Sequence, residues 1–249
     1  MTQPALELIG LNKWFGPVHA LRDIHFQLFP GEVVALLGDN GAGKSTLIRA
    51  IAGAERFDSG TLKVAGQAVD GRRYDVLGAR RQGIETVYQN GALGLGQSLW
   101  RNLFLGRHLR NRWGFIDERE ERRRAQALLH QLNFRGVGAN VDALVGQLSG
   151  GERQGLAIGR AMLFDARLVI LDEPTTALSL GEVEKVLRFI EQLRSQARAC
   201  LLITHNMADA YRVADRFVVM DRGAIVAAYR KDQLTLASLQ QALLDAVRS

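Results

Sequence analysis

The stretch Gly38-Asp39-Asn40-Gly41-Ala42-Gly43-Lys44-Ser45-Thr46 constrains what this chain can fold into more than any other. It fits G-x-x-x-x-G-K-[ST] without a mismatch, between an apolar run at 33–37 and a helix-like segment at 47–52. The physics asks for that order. A buried strand delivers the chain to a tight turn, glycines let the backbone approach an anion, and a helix opens with its N–H groups and positive dipole end facing the phosphates. On this reading Lys44 reaches the β- and γ-phosphates of a nucleotide, and the Ser45 hydroxyl suits a magnesium ion.

Such a loop calls for an open sheet behind it, and the rest of the chain supplies strands. Leu168-Val169-Ile170-Leu171-Asp172-Glu173-Pro174 is an apolar run ending in two acids, which suits a central parallel strand buried on both faces. Residues 83–89 and 201–204 read as further strands, ending at Gln89 and His205. Ligands of open α/β sheets lie at the carboxyl ends of the strands, so these polar residues are predicted to converge on the terminal phosphate. Asp172 is expected to hold magnesium directly or through water, and Glu173 to act as general base for the attacking water. His205 is expected to donate to the γ-phosphate, and Gln89 to sense magnesium and water.

Elsewhere, 6–9, 24–28 and 61–64 read as strands, with turns at 58–60 and 66–71. Trp14 and Phe15 fall beside the turn residues Gly16-Pro17, either as a lid on the core or as a stacking surface for a nucleobase. The glycines of 91–98 predict a mobile loop. A helical pattern follows over 99–133, with Asp117 and Glu120 outlining a capping box for a helix to about Leu132. A helical block inserted into a strand-and-helix pattern implies a subdomain on one side of the sheet. Leu148-Ser149-Gly150-Gly151-Glu152 opens a helix to 163, in which Gly155 and Gly159 are either close-packing points or simply tolerated. Helices are expected at 182–195 and 208–214, a hairpin of 217–220 with 224–228, and a terminal amphipathic helix at 236–247.

The 249 residues, 47% hydrophobic and 23% charged, fit an ordinary globular protein with a large core. No apolar run approaches the roughly 18 residues of a membrane-spanning helix, and no secretory pattern opens the chain, so a cytoplasmic location is expected. The single cysteine, Cys200, sits in an apolar run and reads as a small core residue. The charge of +6 invites a nucleic-acid partner, but much of the excess is interleaved, with Glu118–Arg122 and Glu120–Arg124 placed as i,i+4 pairs. The more one-sided patch is Arg107, His108, Arg110 and Arg112, which suits lipid headgroups or a protein partner as well, and no nucleic-acid partner is expected.

With the phosphate loop, Gln89, the signature 148–152, Asp172-Glu173 and His205 in that order, the chain resembles the ATP-binding-cassette ATPases over essentially its whole length. The resemblance implies an α/β fold, a P-loop NTPase with a mostly parallel core sheet, an N-terminal antiparallel β subdomain and an α-helical subdomain inserted at about 91–165, all in one cassette domain. It also implies that Phe15 stacks on adenine, with Trp14 the lesser candidate, and that ATP and Mg2+ are the cofactors. Two cassettes then pair head to tail, each ATP held between Gly38 to Thr46 of one and Ser149, Gly150, Gly151 and Glu152 of the other.

Within that family the chain looks most like the ATPases of bacterial monosaccharide importers of the ribose and fructose type, through 83–89, 102–107 and His205-Asn206-Met207. Ser179 stands where most members have an aspartate, which the sugar-importer group often lacks. A single cassette is a minority arrangement there, and the glycines of 91–96 are unusual at a place where the family touches its membrane partner. The implied function is an ATP-hydrolysing subunit energising a membrane importer of monosaccharides. Its implied partners are transmembrane permease subunits, a second cassette, for which a homodimer is expected although the sequence does not say whether the two are identical, and, indirectly, an extracytoplasmic solute-binding protein, at the cytoplasmic face of the inner membrane. The alternatives are an exporter cassette or a soluble cassette ATPase acting on DNA or ribosomes.

Overall fold

The computed structural model describes residues 3–88, 93–132, 134 and 136–248. The chain divides into two compact units, one of Met1–Thr86, Ala166–Glu173 and Ile190–Ser249, the other of Val87–Asp165 and Pro174–Phe189.

The first unit contains two sheets. Strands β1 (Leu6–Phe15), β2 (Val18–Leu28), β4 (Ser59–Val64) and β5 (Gln67–Ala68) form an antiparallel sheet in the order β2-β1-β4-β5. The second has the order β10-β9-β3-β8-β7-β6, from β3 (Val33–Leu37), β6 (Ile84–Val87), β7 (Leu168–Asp172), β8 (Ala199–Ile203), β9 (Arg216–Asp221) and β10 (Ala224–Arg230). Strand β3 runs parallel to both β8 and β9, and β7 parallel to β8. All five residues of β3 and of β8 are buried, so continuous apolar runs become central strands, as their lack of alternation predicts. Cys200 lies in β8 fully buried, and burial pushes its thiol up to about 12, which makes it a packing residue.

Helices α1 (Lys44–Ile51), α2 (Val76–Arg81), α7 (Met207–Val213) and α8 (Leu236–Arg248) belong to this unit, as does the end of α6 (Leu180–Ser195) from Ile190 on. The sequence pattern did not anticipate α2. Its signal is the N-cap Asp75, whose carboxylate accepts from the Gly78 N–H at 2.6 Å. Two expected turns are partly strand. Ser59 and Gly60 already lie in β4, where Ser59 pairs with Asn12, and Gln67–Ala68 forms β5, because the antiparallel neighbours supply ladder partners that a local reading cannot see. Trp14 and Phe15 end β1 and pair with β2 rather than standing in a loop.

The second unit holds α3 (Leu99–Phe104), α4 (Glu118–Gln131), α5 (Gly150–Leu163) and α6 as far as Phe189. The helical pattern over 99–133 breaks at 105–117. Gly106 and Gly114 take positive φ, and Asn111 accepts from the Trp113 and Phe115 N–H groups, closing a turn with an Arg110–Ile116 bridge. Asp117 caps α4 as expected, accepting from the Glu120 N–H at 3.0 Å. Of the two expected ion pairs only Glu120–Arg124 forms, at 2.8 Å. Arg122 pairs with Asp142 and Glu118 with Arg101, since neighbouring segments offer partners off the helix.

The basic patch is likewise engaged. His108 meets Glu121, Arg110 donates to the Gly114 carbonyl, and Arg107 and Arg112 lie over Phe164 and Trp113. Gly159 is a close-packing point, since a Cβ there would fall 2.8 Å from Leu132, whereas Gly155 meets Phe134 and Phe189 at an ordinary 3.4 Å. Residues 91 and 92 of the glycine-rich loop lie outside the described residues. Its Gly94 is held by the buried Asn102 amide, whose Oδ1 accepts from the Gly94 N–H at 2.7 Å and whose Nδ2 donates to the Gly94 carbonyl at 3.1 Å.

Candidate functional site

At the carboxyl end of β3 the loop 38–43 turns into α1, and its glycines are fixed by what surrounds them. Gly38 has φ +144, and a Cβ there would lie 2.2 Å from the Met220 carbonyl oxygen. Gly43, the N-cap of α1, has φ +103, and a Cβ would lie 2.9 Å from the Ala20 carbonyl oxygen. Gly41 faces the other way, with nothing within 4 Å of where a Cβ would stand. One side of the loop is thus pressed against strands and the other is open, as a backbone cradle for an anion must be. Asp39, Asn40, Gly41 and Ser45 are exposed, while Ala42 and Thr46 are buried and anchor the loop and the helix start.

Lys44 donates through Nζ to the carbonyls of Gly38 at 2.6 Å and Asp39 at 2.8 Å. Burial lowers its pKa, and Glu173, Asp39 and Asp172 partly offset that by favouring the charged form. The carboxyl of Asp172, at the end of β7, is raised first by burial and then by Glu173, with Lys44 and Arg49 opposing. These mutual effects place the lysine, both acids and Arg49 in one electrostatic neighbourhood.

Glu173 follows directly, at φ +50, a left-handed conformation that is strained for glutamate. Its N–H donates to the Ile203 carbonyl at 2.9 Å, which ties it to the end of β8. From β8 the chain passes through the buried Thr204 to His205, whose Nδ1 donates to Glu173 Oε2 at 2.8 Å. The imidazole is 73% exposed and the carboxylate only 16%, so the histidine reaches in from solvent to hold a shielded acid. The sheet therefore brings Lys44, Asp172, Glu173 and His205 together. Gln89 lies outside the described residues.

Trp14 stacks on His19 at 4.1 Å with an interplanar angle of 9°, so one of its faces is taken. The Phe15 ring is 43% exposed and carries Lys13 Nζ at 4.9 Å from its centroid.

The signature segment belongs to the second unit. Ser149 is the N-cap of α5: its hydroxyl accepts from the Glu152 N–H at 3.2 Å, and the Glu152 carboxylate accepts from the Ser149 N–H at 2.9 Å. Gly150 follows as the first helical residue, and Gly151 is buried, its N–H donating to Glu182 Oε1 at 2.8 Å. Glu182 escaped the sequence reading. Its signal was Ser179-Leu180-Gly181-Glu182, an S-x-x-E pattern at the start of α6.

The family model described as "ABC transporter" matches residues 21–176. The chain belongs to the ABC transporter family. Among curated members it is 40% identical to the xylose/arabinose import ATP-binding protein of Sulfolobus acidocaldarius, over 96% of this chain and 93% of that one. It is 42% identical to the fructose import ATP-binding protein of Rhizobium meliloti, over 86% of this chain and 84% of the relative. Against a ribose import ATP-binding protein of Rubrobacter xylanophilus the identity is 38% over 95% of this chain, which spans only 47% of that longer protein.

The fold of this ABC family member matches that of a nucleotide-free ATP-binding cassette, with a TM-score of 0.83 and 23% identity over 98% of both chains. It also matches a dimeric cassette in a post-hydrolysis state bound to ADP and Pi, with a TM-score of 0.76 and 23% identity over 91% of this chain and 98% of that one. These likenesses show the α/β P-loop cassette fold implied by the sequence.

Proposed function

We propose that this chain is the ATP-hydrolysing subunit of a membrane importer of monosaccharides. The observation that carries the chemistry is the shielded carboxylate of Glu173, held by His205 at 2.8 Å in the same neighbourhood as Lys44 and Asp172. The importer role rests on relatives named for xylose/arabinose, fructose and ribose import.

ATP would lie with its phosphates on the open side of 38–43 and its adenine on Phe15, which is about as exposed as Trp14 but carries the Lys13 ammonium where Trp14 carries a stacked ring. Lys44, now folded onto two loop carbonyls, would turn its ammonium to the β- and γ-phosphates. The described residues contain no group of three or more His, Cys, Asp or Glu side chains able to hold a metal ion by themselves. A magnesium ion would be held by the exposed Ser45 hydroxyl, Asp172 and Gln89 together with the phosphates, where it would supply positive charge against the phosphate oxygens. Glu173 takes a proton from water as the water oxygen attacks the γ-phosphorus. The bond from that phosphorus to the bridging oxygen breaks, and ADP and phosphate leave. His205 fixes the rotamer of Glu173 and reaches the γ-phosphate.

The second unit contains the whole range expected for the helical block, 91–165, together with Pro174–Phe189, and we assign it to presenting Ser149, Gly150, Gly151 and Glu152 to a second cassette's ATP. The partners are then permease subunits, a second cassette and, indirectly, a solute-binding protein. We place the chain peripherally at the cytoplasmic face of the membrane, as the import role of its relatives requires.

The test is reconstitution with candidate permeases and a panel of sugars, reading ATP turnover that rises with binding protein and sugar. Salt-sensitive co-purification with DNA or ribosomes, in place of a polytopic membrane protein, would reject the importer reading.

A further inference from the structure

In the second unit a carboxylate of the chain itself engages donors that a neighbour's phosphate would need. The Gly151 N–H donates to Glu182 Oε1 at 2.8 Å, while the N–H and hydroxyl of Ser179 donate to Glu182 Oε2 at 3.0 and 2.9 Å. The backbone of Ser179 and Gly151, followed by the side chains of Ser179 and Ser149, outweighs desolvation and holds this carboxyl down at about 2. Glu182 is therefore ionised throughout the physiological range. The Ser149 hydroxyl can donate to it while accepting from the Glu152 N–H. Steric evidence agrees. A Cβ on Gly151 would fall 2.4 Å from Glu182 Cγ, so the glycine at 151 is what admits this side chain against the helix start.

We infer that Glu182 is a resident stand-in for the γ-phosphate at the signature turn, which must release Gly151 and Ser149 before a second cassette can close over ATP. The inference rests on the proposed function, in which Ser149 to Gly151 complete a neighbour's nucleotide site. A carboxylate and a phosphate compete for the same N–H and O–H donors at the positive end of α5, and two anions in contact repel. Ser179 suits this arrangement. It offers Glu182 both an N–H and an O–H, whereas an aspartate there would set a second carboxylate against it. Glu182 thereby raises the threshold for dimer closure without touching the nucleotide itself.

The experiment uses the full chain carrying Glu173→Gln, so that hydrolysis does not consume the closed state, at saturating Mg-ATP. Sedimentation velocity over a protein dilution series reads the dimer dissociation constant with and without Glu182→Gln. Removing the resident charge is expected to lower that constant on the order of tenfold, the size of losing one charge-assisted competitor. A constant that is unchanged or raised overturns the inference, because a simple brace of the signature turn would weaken dimers when cut. Ser179→Ala removes one anchor of Glu182 and should shift the constant in the same direction by a smaller factor. It decides by the same criterion if Glu182→Gln does not give a folded chain by thermal melt. A parent that binds no fluorescent ATP analogue, or binds it and stays monomeric, overturns the proposed function beneath the inference. Failure of the inference alone is a parent that dimerises with a Glu182→Gln variant that does so no better.

Discussion

Two helix N-termini in this protein have opposite fates. Helix α1 opens from Gly43 in a left-handed conformation, with no side-chain cap and no acid in its first turn, and with Lys44 as its first residue. Helix α5 opens from Ser149 with a full capping box, Glu152 on the Ser149 N–H and Glu182 on the Gly151 N–H. Both are anion-attracting by the same backbone physics. The difference is in who supplies the anion. At α1 the main chain is pinned by Met220 and Ala20 so that an incoming phosphate meets an unscreened helix end, whereas at α5 the chain's own carboxylates already satisfy the turn. On the proposed function, one end is prepared for a ligand that binds a single chain and the other is held in reserve for a partner.

The largest expected effect tests the acid beside the first helix end. Glu173→Gln should slow steady-state ATP hydrolysis by roughly a hundredfold or more while leaving ATP binding intact and accumulating an ATP-bound dimer. A phosphate-release assay and size-exclusion chromatography read both, and wild-type turnover would remove Glu173 from the base role. Next, Lys44→Ala removes the ammonium held at 2.6 Å by Gly38 and should weaken ATP binding by roughly tenfold to a hundredfold in a fluorescence titration. If binding were unchanged, the contrast between the two helix ends would collapse.

Asp172→Asn separates function from stability. Burial and Glu173 raise the Asp172 carboxyl, so its contribution to stability is fully present below the ordinary carboxylate range and is lost as pH rises through the folded value. At neutral pH its charge opposes folding of the ligand-free chain. The asparagine variant should therefore melt a few degrees higher at pH 7, lose that advantage near pH 4, and lose Mg-dependent turnover. Calorimetry at the two pH values reads the sign.

Ser149→Ala probes the reserved end in the monomer, where loss of the cap should cost about 1 kcal/mol in denaturant unfolding while ATP binding to the single chain stays unchanged. The smallest effect is at the aromatics. Phe15→Ala should weaken adenine nucleotide binding by a few-fold, more than Trp14→Ala, whose ring already faces His19. The reverse order would move the stacking role to Trp14.

The central architecture was legible in the residues because it rests on signals that are local and chemically unambiguous. The fully apolar 33–37 became β3 with the same bounds, and the phosphate-loop pattern placed the turn and helix that follow. Asp117 announced its helix start by capping chemistry that spans only three residues, and the helix start at 148–152 was read although the Ser149–Glu152 capping box was not. What failed locally was decided by partners distant in sequence. The strand character of Ser59 and Gln67 depends on neighbouring strands, and Arg122 finds Asp142 rather than Glu118.

The sequence by itself determined the family, the loop that grips an anion and the acids at the strand end, because glycine spacing, a lysine and a strand terminated by carboxylates have few other uses together. Only the tertiary structure decided how those groups are set. Parallel pairing of β7 with β8 brings Glu173 within 2.8 Å of His205, residues 32 positions apart whose contact no local pattern encodes. Likewise, the fold set Glu182 against Gly151. That changes the signature turn from an open anion site into one occupied by the chain's own charge.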